Sequence, residues 1–181
     1  MGCWSASIMG GDTPYDAHGW VWDRALALGG HTDKDYSWVL DGEDSPFNHD
    51  QEILRECLTP ENIECMYNEL PEKWDPAVYA QVLALVIIES GAAFPEALRP
   101  KFIALIAVDE WAQEDDERAG YVLDLIRRIQ LYVDGDKQEV PSRGLFDTMF
   151  NSAEQGMAGV ILSADELENA KLTLDAITRG D

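Results

Sequence analysis

One segment, residues 77–89, most strongly limits the folds open to this chain. Its apolar residues, from Val78 to Ile88, surround the whole circumference of a helix instead of following one face. A helix that is apolar all round must be covered on every side by the rest of the protein. Asp75-Pro76 before the segment and Ser90-Gly91 after it are typical helix start and stop signals. The sequence therefore predicts a helical bundle with this helix at its centre.

Further helices are predicted wherever a capping residue precedes an apolar pattern. Their expected spans are 13–28, 60–69, 100–111, 118–132 and a last helix that starts from Ser163. Two regions, 29–48 and 134–144, are rich in Gly, Asp, Ser and Pro and are predicted to be loops. Residues 160–162 or 36–40 could each form a short strand. The expected fold class is mostly α, a single domain over residues 1–181 with one or two short strands at most.

The charge of the chain constrains its partners. The sequence carries 35 acidic and 13 basic residues, a formal net charge of −22. The excess is spread along the chain, because residues 1–60, 61–120 and 121–181 contribute −8, −9 and −5, which sum to −22. Such a surface repels nucleic acid and anionic lipid and attracts basic surfaces. We therefore expect a basic protein as partner, and neither direct nucleic-acid binding nor membrane binding.

Composition indicates a folded protein of a reducing compartment. Hydrophobic residues make up 46% of the chain, and six are tryptophan, whereas disordered acidic chains are poor in aromatic residues. The longest apolar run, 82–88, is far shorter than the roughly 20 residues of a membrane span. No signal peptide is visible, and the three cysteines form no CxxC pair. The expected location is the cytoplasm.

The densest acidic stretch is the candidate binding site. It places six carboxylates and one tryptophan within nine residues, namely Asp109, Glu110, Trp111, Glu114, Asp115, Asp116 and Glu117. Charges of this kind would steer a basic partner, and the aromatic residue would anchor it. The alternative is a solvated turn whose Trp111 points into the core. A second acidic stretch, between Asp41 and Glu56, is a weaker candidate of the same type.

No motif for catalysis or metal binding is found. The chain has no GxSxG and no HExxH, and its glycine-rich Gly10-Gly11-Asp12-Thr13 lacks the lysine of a phosphate-binding loop. The acidic loop at 33–44 has Trp38 where a calcium-binding loop needs glycine. We therefore expect no cofactor and no metal, and favour a binding protein over an enzyme. A carboxylate pair that acts catalytically would leave no sequence signature.

The start of the chain resembles a group of small acidic bacterial proteins. The opening Met1-Gly2-Cys3-Trp4-Ser5, followed by Gly11-Asp12-Thr13-Pro14-Tyr15-Asp16, is similar to their Met-Gly-x-Trp-Gly start and Asp-rich first helix. The order of later helices is also similar, whereas Ser5 and the 29–50 region depart from the pattern. The group is uncharacterised, so the resemblance implies a cytoplasmic, mostly helical protein and transfers no catalytic residue.

Three functional hypotheses follow from the sequence. The first is a non-catalytic acidic protein, of the inhibitor or immunity type, that occupies a basic surface of a nucleic-acid-handling partner with carboxylates in place of phosphates. The second is an enzyme or small-molecule binder with a pocket among Trp20, Trp22, Trp38 and Trp74. The third is a homo-oligomeric structural protein, whose self-association would strengthen as salt rises.

Overall fold

The structure of the chain is a computed structural model that describes residues 8–9, 12–31, 46–136 and 161–180. Within these ranges the chain forms nine helices and no strand: α1 (Asp12–Leu28), α2 (Pro46–Cys57), α3 (Pro60–Glu69), α4 (Pro76–Ser90), α5 (Arg99–Ile106), α6 (Glu110–Glu114), α7 (Asp116–Leu131), α8 (Ala164–Glu168) and α9 (Ala170–Arg179). The described helices share one hydrophobic core. The predicted mostly α fold is confirmed.

The central helix is α4, as the apolar pattern predicts. Its side chains are buried on all faces, and α1, α2, α5 and α7 pack around it. The Asp75 carboxylate caps its start by accepting hydrogen bonds from the N–H groups of Ala77 and Val78, at 2.9 and 3.1 Å. Gly91 ends it in the left-handed conformation, with φ +73°, which glycine adopts without steric cost.

A second buried helix, α7, connects the central helix to the C-terminal part of the chain. It packs against α4, α5, α6, α8 and α9. Its Asp124 and Arg128 form a buried ion pair of 2.7 Å, and the same carboxylate accepts a hydrogen bond of 2.8 Å from the N–H of Ile161. The Arg127 guanidinium lies 3.2 Å from Glu166 at the start of α8. These contacts hold the start of α8 against α7.

The structure corrects two predicted helices and adds one. The segment 100–111 is not continuous, because α5 ends at Ile106 and Asp109 caps a separate α6. The last helix is interrupted at Asn169, whose side chain donates to the Asp165 carbonyl at 2.8 Å. Its capping box at Ser163 and Glu166 is present as predicted. Helix α2 was not predicted, although Ser45-Pro46 gives the same type of start signal as the other helices.

The predicted strand at 160–162 is not observed in its described residues. Residues 161 and 162 have no regular secondary structure, and they precede the capped start of α8. Residues 36–40 and residue 160 lie outside the described residues, as do most of the two predicted loops.

Candidate functional site

The candidate site is a corner between two helices of different length. Asp109 is the N-cap of α6, and its Oδ1 accepts a hydrogen bond of 2.9 Å from the N–H of Ala112. Asp115 ends α6 and caps α7, since its Oδ1 accepts a hydrogen bond of 2.8 Å from the N–H of Arg118. Two acidic residues are therefore used to turn the chain and to start each helix, as their side-chain chemistry favours.

A buried polar triad lies beneath this corner. It consists of Gln81 on α4, Asp109 and Arg118, which are 0%, 4% and 2% exposed. Asp109 Oδ2 accepts from Gln81 Nε2 at 2.7 Å and from Arg118 Nη2 and Nε at 2.8 and 3.2 Å. Arg118 Nη2 also donates to Gln81 Oε1 at 2.6 Å. The triad thus joins the corner to the central helix through two hydrogen bonds of the neutral Gln81 amide, each of which has a charged partner. Hydrogen bonds with one charged partner are stronger than those between two neutral groups.

The surroundings of Asp109 keep it ionised. Burial by itself raises the pKa of this carboxyl, but the Arg118 guanidinium and the hydrogen bonds from Gln81 and Ala112 outweigh burial. The pKa of Asp109 therefore lies below its ordinary value. An isolated buried charge would be strongly destabilising, so the carboxylate and the guanidinium depend on each other.

The burial of Asp109 corrects the predicted binding surface. The Asp109 side chain faces the interior and is engaged by Gln81 and Arg118, so it is not presented to a partner. Asp115 is half-buried and serves as a helix cap. Trp111 is half-buried too, packs against the core, and lies with its ring centroid 4.9 Å from the guanidinium carbon of Arg118.

Four of the predicted carboxylates remain at the surface. Glu110, Glu114, Asp116 and Glu117 are all exposed, and we call these four residues the acidic corner. One cation approaches them from within the described chain, because Lys171 Nζ on α9 lies 2.8 Å from Asp116 Oδ1. That Asp116 side chain is 89% exposed, so the pair contributes little to stability.

Most arginines in the described part of the chain are engaged with its own carboxylates. Arg118 and Arg128 pair with buried aspartates, while Arg24, Arg99 and Arg127 pair with acidic residues nearer the surface. The guanidinium of Arg24 binds both carboxylate oxygens of Glu69. Internal pairing of this kind leaves the exposed acids of the acidic corner with few basic neighbours.

The second acidic stretch falls largely outside the described side chains. Glu52 and Glu56 are exposed on α2, whereas 41–44 lie outside the described residues and the Asp50 side chain is not described. The prediction for that stretch stays untested.

The tryptophans of the second hypothesis are partly accounted for by packing. Trp20 contacts Trp74 and Tyr79 edge to face, with ring centroids 5.7 and 5.6 Å apart. The Trp74 and Tyr79 rings stack at 6.1 Å, and the Tyr79 hydroxyl donates to the Met66 carbonyl at 3.0 Å. Trp22 instead lies beside His18 on another part of α1, and Trp38 is outside the described residues. Trp20 and Trp74 therefore stabilise the contact between α1, α3 and α4.

Sequence analysis did not identify Gln81 and Arg118 as partners of Asp109. The only sequence signal is their type: a glutamine inside an otherwise apolar helix and an arginine directly after an acidic stretch. A buried polar side chain needs a partner, so Gln81 on a fully buried helix already required one. Which partner it finds depends on how the helices pack.

The comparisons with known proteins give no further assignment. No protein-family model matches the chain, and neither the curated proteins nor the solved structures contain a significant match. Among the described helices, none has the length and apolar character needed to cross a membrane. In the same residues, no cluster of His, Cys, Asp and Glu has an arrangement that could hold a metal ion.

Proposed function

We propose that this chain is a non-catalytic acidic binding protein whose acidic corner occupies a basic surface of another protein. In its specific form, the partner handles nucleic acid, and the carboxylates of the corner take the place of phosphates, so that the bound partner is inhibited. The observation that carries the proposal is the set of four exposed carboxylates on a corner that the buried triad fixes from beneath.

The rigidity of the corner supports this function. Glu110 and Glu114 project from α6, and Asp116 and Glu117 from the first turn of α7, so none of the four stands on a long loop. Charged groups that are held in place before binding lose less conformational entropy when a partner arrives. A preorganised acidic surface is therefore suited to a specific basic partner, beyond the general attraction that net charge provides.

The charge of the chain also supports the proposed function. With a net charge of −22, the long-range field accelerates the encounter with a cationic surface. Half-buried Trp111 lies next to the acidic corner and offers an aromatic contact at its edge. Aromatic residues flanked by charges are common centres of binding energy in protein interfaces.

The first test is affinity capture with the full chain from a lysate of the native host, after nuclease treatment to remove nucleic acid. Proteins that bind through the acidic corner should be released as salt is raised, because the screening length falls from about 10 Å at 0.1 M to about 3 Å at 1 M. Each released protein is then purified and titrated with the chain.

Matched variants separate the acidic corner from net charge. One variant neutralises the corner through Glu110→Gln, Glu114→Gln, Asp116→Asn and Glu117→Gln. The control removes four exposed carboxylates elsewhere, through Asp23→Asn, Glu61→Gln, Glu64→Gln and Glu72→Gln. The corner variant should weaken binding at least about tenfold, or 1.4 kcal/mol, and the control should weaken it much less.

A displacement experiment tests whether the partner handles nucleic acid. The purified partner must release its own DNA or RNA when the acidic protein is added, and the corner variant must fail to displace it. Equal weakening by both variants would show that binding depends on net charge alone, which contradicts a defined site. Self-association that strengthens with salt would favour the homo-oligomeric alternative.

A further inference from the structure

A surface groove lies on the side of the bundle where α3 begins and α4 ends. It has a volume of about 340 Å³, and its lining includes Arg55, Thr59, Ala93, Asp134 and Gly135. This volume is in the lower part of the range of small-molecule sites, which is about 300–1,000 Å³. None of the residues of the acidic corner borders it.

Arg55 differs from the five paired arginines. Its side chain is exposed, and within the described part of the chain it forms no ion pair with a carboxylate. It lies along the loop after α7, because a Cβ placed on Gly135 would be 3.5 Å from Arg55 Nη2. Gly135 has φ +88°, a conformation that L side chains rarely adopt. The lining of the groove therefore includes a guanidinium that is available to a ligand.

Asp134, another residue of the lining, provides an anionic group that is held in place. Its Oδ1 accepts a hydrogen bond of 3.0 Å from the N–H of Phe94, and Arg99 Nη2 lies 3.5 Å away. Arg99 is itself fixed, since its Nη1 donates to the carbonyls of Ile129 and Tyr132 at 3.1 and 2.9 Å. The Asp134 side chain nevertheless stays 53% exposed, so a ligand can still reach it.

A hydrogen bond within the chain holds part of the groove in place. The Tyr132 hydroxyl donates a hydrogen bond of 2.8 Å to the carbonyl of Ala92, which joins the end of α7 to the end of α4. Burial, with the Asp134 carboxylate nearby, raises the pKa of Tyr132 to about 12. The hydroxyl thus remains a donor at neutral pH. Small-molecule sites are usually preformed in this way.

We propose that this groove binds a small zwitterion of the α-amino-acid class, with Arg55 on its carboxylate and Asp134 on its ammonium group. A guanidinium matches the geometry of a carboxylate with two parallel hydrogen bonds. One positive and one negative side chain in the lining favour a ligand that carries both charges, and the overall charge of −22 disfavours an anion. The inference is independent of the function proposed for the acidic corner.

The test is a titration of the full chain with the common α-amino acids, followed by NMR of the backbone amides of Gly91, Ala93 and Gly135. At least one amino acid should shift these three signals in a saturable manner. Arg55→Gln should weaken its binding at least tenfold, and Ala93→Leu should remove binding by filling the groove while it leaves both charges in place. Lys101→Gln, an equal charge change at an exposed position outside the groove, should leave binding unchanged.

Modified ligands test the role of each charged residue of the groove. The methyl ester of the bound amino acid lacks the carboxylate, so Arg55→Gln should not weaken its binding further. The N-acetyl form lacks the ammonium group, so Asp134→Asn should not weaken that form further. The absence of saturable shifts with every amino acid, or wild-type affinity in Arg55→Gln, would overturn the proposal and leave the acidic corner unaffected.

Discussion

The buried triad offers the sharpest test of how this fold is held together. We consider Asp109→Asn, which changes one charge and keeps nearly the same shape. The new side chain retains a carbonyl oxygen that can cap α6 through the N–H of Ala112. It no longer neutralises Arg118, whose guanidinium is 2% exposed and cannot turn towards water without moving the helix.

The expected cost follows from the burial of both charges. Removing one partner of a buried ion pair typically costs about 3–5 kcal/mol, because the other charge is left uncompensated. That is a large part of the 5–15 kcal/mol that stabilises an ordinary domain. Arg118→Met should be destabilising as well, since Asp109 would then retain only the donors of Gln81 and Ala112. The double variant Asp109→Asn/Arg118→Met buries no charge and should be more stable than the Asp109→Asn variant.

Urea unfolding followed by far-ultraviolet circular dichroism measures these differences as shifts of the midpoint at a common m-value. The two single variants and the double variant form a cycle, whose coupling energy should be at least about 2 kcal/mol. Glu69→Gln is the matched control, because it breaks an arginine pair whose side chains are 34% and 33% exposed. The control should cost less than about 1 kcal/mol.

Two results would refute the reasoning. The first is a cost of Asp109→Asn no larger than that of the Glu69→Gln control. The second is simple additivity of the single costs in the double variant, since this would mean that Asp109 and Arg118 stabilise the fold independently. Either result would show that the corner is not held by the triad.

Three further predictions concern the core, a close helix contact and the response to acid. Leu83→Ala, at a fully buried position of α4, should cost about 2–5 kcal/mol in urea unfolding. Gly29→Ala would place a Cβ 2.2 Å from Cys57 Sγ, so it should lower stability by about 1–3 kcal/mol in thermal unfolding. Cys57→Ala in the same chain should recover part of that loss. Hydrogen bonds from Arg24 hold the pKa of Glu69 below its ordinary value, and the pKa of Asp109 is lowered as well. The stability that both contribute is therefore present above the ordinary carboxyl pKa of about 4, and it is lost as pH falls through their lower folded-state values. The urea midpoint of the wild-type chain should fall as pH is lowered over that range, and the fall should be smaller in the Asp109→Asn variant.

Much of the helical fold could be read directly from local chemistry. The capping residues Thr59 and Asp75 and the prolines that begin α3 and α4 act on their own first turns, so they indicate a helix start whatever surrounds it. Thr13 and Pro14 were predicted to cap and begin α1, but they lie just inside it, because α1 begins at Asp12. The capping box of Ser163 and Glu166 likewise involves only the first turn of α8. The confirmed position of α4 at the centre follows from its composition, since an all-apolar helix has no face to present to water.

The candidate site was predicted less well, because local sequence does not reveal burial. Asp109 belongs to the same acidic stretch as Glu110 and Glu114, and although an aspartate is a better helix cap than a glutamate, its residue type does not show that it is buried. In the structure, Asp109 faces inward while Glu110 and Glu114 are exposed. The groove beside Arg55 was missed for the same reason, since its walls come from three separate parts of the chain.

The sequence by itself determined that this chain is a strongly acidic bundle of helices around one apolar helix, since composition and capping act within a few residues. Only the tertiary structure decided where the segment 100–111 breaks. The apolar pattern of this segment continues past Ile106, so the helix preference of the local sequence alone would extend the helix beyond that residue. The break arises because Asp109 reaches Gln81, 28 positions away, and Arg118, nine positions away. Hydrogen bonds between distant residues form only once the helices have packed, so no local pattern encodes them.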